Sequence, residues 1–119
     1  MSLTESPFAC VMDAIALEQR APHIANAKAL FDEVSRIAEL ENGYAFCFGT
    51  NYGVFPRIAE FITLERLCCP FLGFTISVEP EGGDIWLRLT GRDGVKPFIQ
   101  VEIGEIVGRT IVASKGAHE

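Results

Sequence analysis

The segment Glu65-Arg66-Leu67-Cys68-Cys69 puts a carboxylate and two thiols in one short stretch of chain. On a helix, side chains three and four positions apart are neighbours, so both sulfurs fall within reach of the Glu65 carboxylate. The sequence predicts such a helix. It starts with Pro56 in its first turn, where a missing N–H costs nothing. It stops near Cys69, because Pro70 drives the preceding residue out of helical geometry. At about 100° per residue, Ile58, Phe61, Ile62 and Cys69 share one side, with Glu65 in their midst. Arg57, Glu60, Thr63 and Arg66 fall elsewhere, as a solvated surface would. An unpaired carboxylate inside an apolar stripe is strongly unfavourable. Glu65 is therefore expected to be protonated, hydrogen-bonded, paired with an arginine such as Arg20 or Arg88, or bound to a metal ion.

A carboxylate and two sulfurs converging on one point suit a soft divalent ion such as zinc. Glu65, Cys68 and Cys69 are the candidate ligands, with Cys10 a candidate fourth; Cys47 is a weaker candidate. Neither histidine has a helpful spacing, since His23 is predicted on another helix and His118 lies in the tail. Two other readings stand beside this one. Free cysteine often serves as a small buried hydrophobe. Cys68 or Cys69 could instead be a reactive thiol, with Glu65 managing protons. Thiolates, however, are favoured at helix N-termini and beside cations. At a helix C-terminus, beside Glu65, both thiols are expected to hold their protons, with Arg66 a weak counterweight. A bound cation would overcome that penalty.

The elements that position these residues are legible from periodicity. Residues 8–12 read as a short strand, after which Asp13 can cap a helix. Ile24, Ala27, Leu30, Phe31, Val34, Ile37 and Ala38 recur at helical spacing and predict one long helix, with Pro22 in its first turn and Asn42-Gly43 at its end. Residues 44–49 form a strand, and the loop 50–53 leads into the Glu65 helix. Leu72, Phe74, Ile76 and Val78 alternate with Gly73, Thr75, Ser77 and Glu79, a half-buried strand. Glu79-Pro80-Glu81-Gly82-Gly83 turns the chain. The returning strand then carries Ile85, Leu87 and Leu89 on one face, Trp86 and Arg88 on the other. Asp93 can cap a last helix with Val95, Phe98, Ile99, Ile103 and Ile106 along its face; residues 115–119 read as a frayed tail.

The predicted fold is α+β, in the order β-α-β-α-β-β-α, with helices on one face of a small mixed sheet. The 119 residues make a single domain 1–119, with 49% hydrophobic and 22% charged residues, the balance of a globular chain. No apolar run approaches the roughly 18 residues of a membrane span, and the N-terminus has no secretory signal pattern. Four cysteines, two of them adjacent, point to free thiols in a reducing, cytoplasmic setting rather than to disulfides. A net charge of −6 with scattered basic residues argues against nucleic acid as a partner. Gly43-Tyr44-Ala45-Phe46-Cys47 echoes an RNA-recognition strand, but its flanks Asn42 and Gly49 fail the pattern. The Gly49–Gly53 loop before a helix resembles an anion cradle and lacks a phosphate-loop lysine.

Leu64-Glu65-Arg66-Leu67-Cys68-Cys69-Pro70-Phe71-Leu72-Gly73-Phe74 resembles the hallmark of a family of small bacterial proteins with the pattern E-x-x-C-C-P-F-L-x-F. In that family a hairpin and W-L-x-L-T-G follow, matched here by Trp86-Leu87-Arg88-Leu89-Thr90-Gly91. A similar segment follows the DNA-binding part of some mercury-resistance-type regulators. The resemblance spans roughly residues 43–100, with looser matches at Cys10 and Arg20. It implies metal or small-molecule sensing, and it assigns no reaction. Since this chain lacks the DNA-binding part, transcriptional control does not carry over. The expected function is binding or sensing of a thiophilic metal or metalloid. The rivals are a thiol-dependent enzyme, and an interaction module forming a homodimer through the sheet face around Trp86.

Overall fold

A computed structural model describes residues 7–107, and their side chains through residue 105. Its core is a four-stranded sheet of β1 (Arg36–Leu40), β2 (Gly43–Cys47), β3 (Gly73–Val78) and β4 (Ile85–Thr90), in the spatial order β1-β2-β4-β3. Three helices, α1 (Leu17–Phe31), α2 (Phe55–Cys68) and α3 (Val95–Val107), complete the α+β fold. Every strand pairing is antiparallel, whereas the sequence predicts a mixed sheet. Two hairpins supply four strands, hairpin neighbours can only run antiparallel, and the two hairpins join through β2 and β4, also antiparallel.

The largest difference from the sequence reading lies between residues 31 and 43. The long helix expected through Ala38 ends at Phe31, and residues 36–40 form β1. Ile37 and Ala38 fit a helical period by coincidence of spacing. They are instead adjacent strand residues facing opposite sides of the sheet, Ile37 into the main core and Ala38 into a second cluster. Asn42-Gly43 closes the hairpin rather than a helix, with Leu40 opposite Gly43. Gly43 is required there by close approach: a Cβ would sit 1.9 Å from the Leu89 carbonyl oxygen. Residues 8–12 form no strand; the chain passes through a 3-10 turn at Met12–Ala14 and enters α1 five residues before Pro22. The C-terminal tail at residues 115–119 and the Ile106 side chain lie outside the described residues.

The helices cover one face of the sheet. Phe31, Phe46, Phe61, Leu87, Leu89 and Ile99 are fully enclosed there. On the strands, Phe74 pairs with Leu89 and Ile76 with Leu87, so these residues share one face as the alternation predicts. Ile76 is nonetheless 36% exposed, because β3 is the sheet edge. On the opposite face Ala38, Ala45, Cys47 and Trp86 form a small second cluster. Trp86 is sheltered, with the Arg36 guanidinium 5.1 Å over its ring. Cys47 lies beneath that lid, on the side of the sheet away from the helices. The candidate site is on the other side, at the end of α2. No helix among the described residues is long and apolar enough to cross a membrane.

Candidate metal centre

α2 places the Glu65 carboxylate and the Cys68 and Cys69 sulfurs together, as the helical spacing requires. Cys68 is the last helical residue and Cys69 the C-cap, whose N–H still bonds the Glu65 carbonyl at 2.8 Å. Cys69 then leaves helical geometry ahead of Pro70, which turns its side chain back over the helix end. Cys68 Sγ lies 3.7 Å from Glu65 Oε1, Cys69 Sγ 3.4 Å from Oε2, and the two sulfurs 3.8 Å apart. All three side chains are buried, with Glu65 1% exposed.

The partner of Glu65 is His23, not Arg20 or Arg88. His23 Nε2 lies 2.8 Å from Glu65 Oε1, both side chains buried. Arg20 turns instead to the Ile15 carbonyl and Arg88 to the Ser77 hydroxyl. His23 opens the inward stripe of α1, continued by Ala27, Leu30 and Phe31. Its ring stacks on Phe61, one turn before Glu65 on α2, at 5.8 Å between centroids. Apolar periodicity points to Ile24 at this turn, yet Ile24 is 48% exposed. The signal that marks His23 as inward-facing is its place four residues before Ala27 and seven before Leu30.

Cys10 reaches the cluster from the N-terminal segment. The Val11 N–H bonds the Cys68 carbonyl at 2.8 Å, which lays this segment across the open end of α2. Cys10 is the exposed member of the set, at the edge of a pocket it lines with Met12, Ile24, Glu102 and Glu105. Three overlapping groups each present ligand atoms within 4.8 Å of one another: Cys10, Cys68 and Cys69; His23, Glu65 and Cys68; Glu65, Cys69 and Glu102. These residues are positioned so that they could hold a metal ion. Glu102 comes from α3 and is not among the residues that the sequence singles out.

The electrostatics differ from the sequence expectation at one residue. Cys68 is expected to keep its proton at the helix C-terminus, but its thiol is pushed down to about 6. The hydrogen bond from Cys69 does most of this, against burial, and His23 adds to it. Those partners come from the neighbouring residue's rotamer and from another helix, which the α2 sequence does not reveal. Cys69 is pushed up, first by donating to Cys68 and then by burial. Cys10 is raised to about 12 by burial and by Cys68, and Glu102 to about 7 by burial and by Glu65. Burial works against the His23 imidazolium, yet the Cys68 sulfur and the Glu65 carboxylate hold it up to about 9. His23 Nδ1 is buried with no hydrogen-bond partner among the described residues. An unmet buried polar atom of this kind costs about 1–3 kcal/mol.

Acidic and thiol groups therefore gather around one imidazolium in a water-poor setting, an arrangement short of positive charge. It can accept a cation, or it can use the Cys68 sulfur as a nucleophile. Comparison with family models, with curated proteins and with solved structures finds no match.

Proposed function

We propose that this chain binds a thiophilic metal or metalloid ion, with Glu65, Cys68 and Cys69 as ligands and Cys10 as the fourth, in a binding or sensing role. The observation that carries this reading is the set of distances among the three buried donors. Around a tetrahedral zinc ion, neighbouring thiolates lie about 3.8 Å apart and a thiolate and a carboxylate oxygen about 3.5 Å apart. The sulfurs here are 3.8 Å apart, and Cys68 Sγ lies 3.7 Å from Oε1 and Cys69 Sγ 3.4 Å from Oε2, so the carboxylate must turn, or use both oxygens, for the three donors to close on one ion. His23 fits as the residue that orients the ligating carboxylate, the usual company of a metal ligand. The resemblance of the Glu65–Phe74 region to sensor-linked segments points the same way.

The test is titration of the reduced protein with zinc and with cadmium, followed by calorimetry and by thiolate charge-transfer absorbance. About one equivalent should bind with release of protons, because thiol ligands must ionise. Cys68→Ser and Cys69→Ser should each remove most of the binding and Glu65→Gln should weaken it. Cys47→Ser should leave it intact, since Cys47 faces the far side of the sheet. Equal binding by the wild type and the Cys68→Ser/Cys69→Ser double variant rejects the assignment.

A second reading, a thiol-dependent enzyme, rests on the Cys68 thiol held down to about 6 beside His23. Rapid alkylation of Cys68 at neutral pH, abolished in His23→Gln and prevented by no metal ion, would favour it. The full burial of Cys68 favours a bound ion over an organic substrate.

A further inference from the structure

Cys10 differs from the other thiols of the cluster in two respects that bear on oxidation. It is exposed while Cys68 and Cys69 are wholly buried, and it belongs to a segment outside regular strand or helix. That segment is nonetheless fixed over the site by the hydrogen bond from the Val11 N–H to the Cys68 carbonyl. The three sulfurs lie within 4.8 Å of one another, against a disulfide length of about 2 Å. Closing the gap requires movement of the Cys10 segment alone, and neither α2 nor the sheet needs to change. Cys69 is worse placed as a partner of Cys68. A bridge between adjacent residues needs a strained eight-membered ring, and Cys69 is locked by its contact with Glu65 Oε2.

We propose that Cys10 and Cys68 form a reversible intramolecular disulfide when the protein meets hydrogen peroxide, and that this bond empties the metal site. The second half rests on the metal-binding reading; the first does not. In the apo protein the Cys68 sulfur attacks one peroxide oxygen, the O–O bond breaks, and the other oxygen takes the Cys68 thiol proton and leaves as water. Cys68 is now a sulfenic acid, oxidised by two electrons. The Cys10 sulfur attacks the Cys68 sulfur, the S–S bond forms and the S–O bond breaks. The hydroxyl leaves with the Cys10 proton as a second water. A dithiol reductant reverses the bond by exchange. Both sulfurs are then lost as thiolate ligands, which removes a rim donor and a buried donor together.

The pocket lined by Cys10, Met12, Ile24, Glu102 and Glu105 opens on the cluster at Cys10. The experiment uses the whole chain, first without metal. One equivalent of hydrogen peroxide should lower the thiol titre, measured after denaturation, from four to two. Non-reducing peptide mapping should join tryptic peptide 1–20 to peptide 67–88, with fragmentation placing the bond at Cys68. Cys47→Ser should cross-link as the wild type does, whereas Cys10→Ser and Cys68→Ser should not. Zinc-loaded protein should then release its ion to a chromophoric chelator in step with the cross-link, and take it up again after reduction by dithiothreitol. A bond at Cys69 instead of Cys68, a Cys68–Cys69 bridge, a Cys10-linked dimer or an unchanged thiol titre each overturns the proposal. A correct cross-link in a protein that binds no zinc leaves the redox site standing and rejects the metal reading. Zinc bound tightly with no cross-link does the reverse.

Discussion

The His23 imidazole and the Glu65 carboxylate meet at 2.8 Å across 42 residues of sequence, both almost completely out of water. The contact ties α1 to α2 at the point where α2 delivers its two thiols. Removing one member of a buried pair leaves the other uncompensated and costs about 3–5 kcal/mol. Glu65→Leu and His23→Leu should each lower stability by an amount of that order. The double variant, with both polar groups replaced by apolar ones, should lie closer to the wild type than either single variant. Urea denaturation of the four proteins gives the coupling directly. Strict additivity would mean that the two residues contribute independently and that the pair is incidental.

Gly43 offers a test of the fold that is independent of the cluster. Its missing side chain lets β2 approach the Leu89 carbonyl closely, and the added carbon of Gly43→Ala would stand 1.9 Å from that oxygen. Central strands cannot shift without disturbing both neighbours, so the cost should be about 1–3 kcal/mol or more. Ile76→Thr, at the half-covered sheet edge, should cost much less. Thermal melts of the two variants should differ by many degrees; equal melts would place β2 elsewhere than between β1 and β4.

Much of this architecture is legible from alternation. The β3–β4 hairpin is legible in which residues share a face, because Leu72 to Val78 and Ile85 to Leu89 change side at every residue, although Ile76 and Val78 stay exposed on the edge strand. The Glu65 helix is legible because Pro56 and Pro70 bracket it. The region from Val34 to Gly43 misleads because Val34, Ile37 and Ala38 satisfy a helical period, while Asn42-Gly43 marks a helix end and a hairpin turn equally well. At the site, local spacing points to Glu65, Cys68 and Cys69. Their surroundings stay hidden because His23 and Glu102 arrive from other helices, and apolar periodicity does not register a buried histidine.

The pH dependence of stability separates the groups of the cluster. Glu102 has its folded value raised to about 7 from 4.5. The unfolded chain therefore releases this proton first, and the folded state loses ground as pH rises from about 4.5 to about 7. Glu102→Gln should match the wild type below that window and exceed it in melting temperature above it. His23 and Cys68 act in opposite senses. The raised His23 value gives stability that is complete below 6.5 and lost by about 9, whereas the lowered Cys68 value gives stability absent below about 6 and complete above 9. Between those limits the pair keeps one proton in either state, and its contributions offset. Cys68→Ser removes one side of that balance, so the wild type should gain on the variant steadily from pH 6 to 9. A pH-independent difference would show that His23 and Cys68 do not share charge.

Metal affinity should depend on His23 even though the proposed ligand set does not include it. Its Nε2–H donates to Glu65 Oε1, which fixes the carboxylate on the side of α2 where the sulfurs stand. Loss of such an orienting partner typically weakens a metal site by about 10–100-fold. His23→Gln keeps a donor of similar reach and should stay near the wild type in zinc affinity. His23→Leu should fall by the full factor, with the thiolate-to-metal absorbance on cadmium unchanged in shape because both sulfurs remain bound. Zinc at 100 times its dissociation constant should raise wild-type stability by about 2.7 kcal/mol, and a chelator should remove that gain. In His23→Leu the same zinc concentration should recover only part of it. An altered cadmium spectrum in His23→Leu would mean that the imidazole is itself a ligand. Unchanged affinity would mean that Glu65 is held in place without it, and the relationship at 2.8 Å would then serve the fold alone.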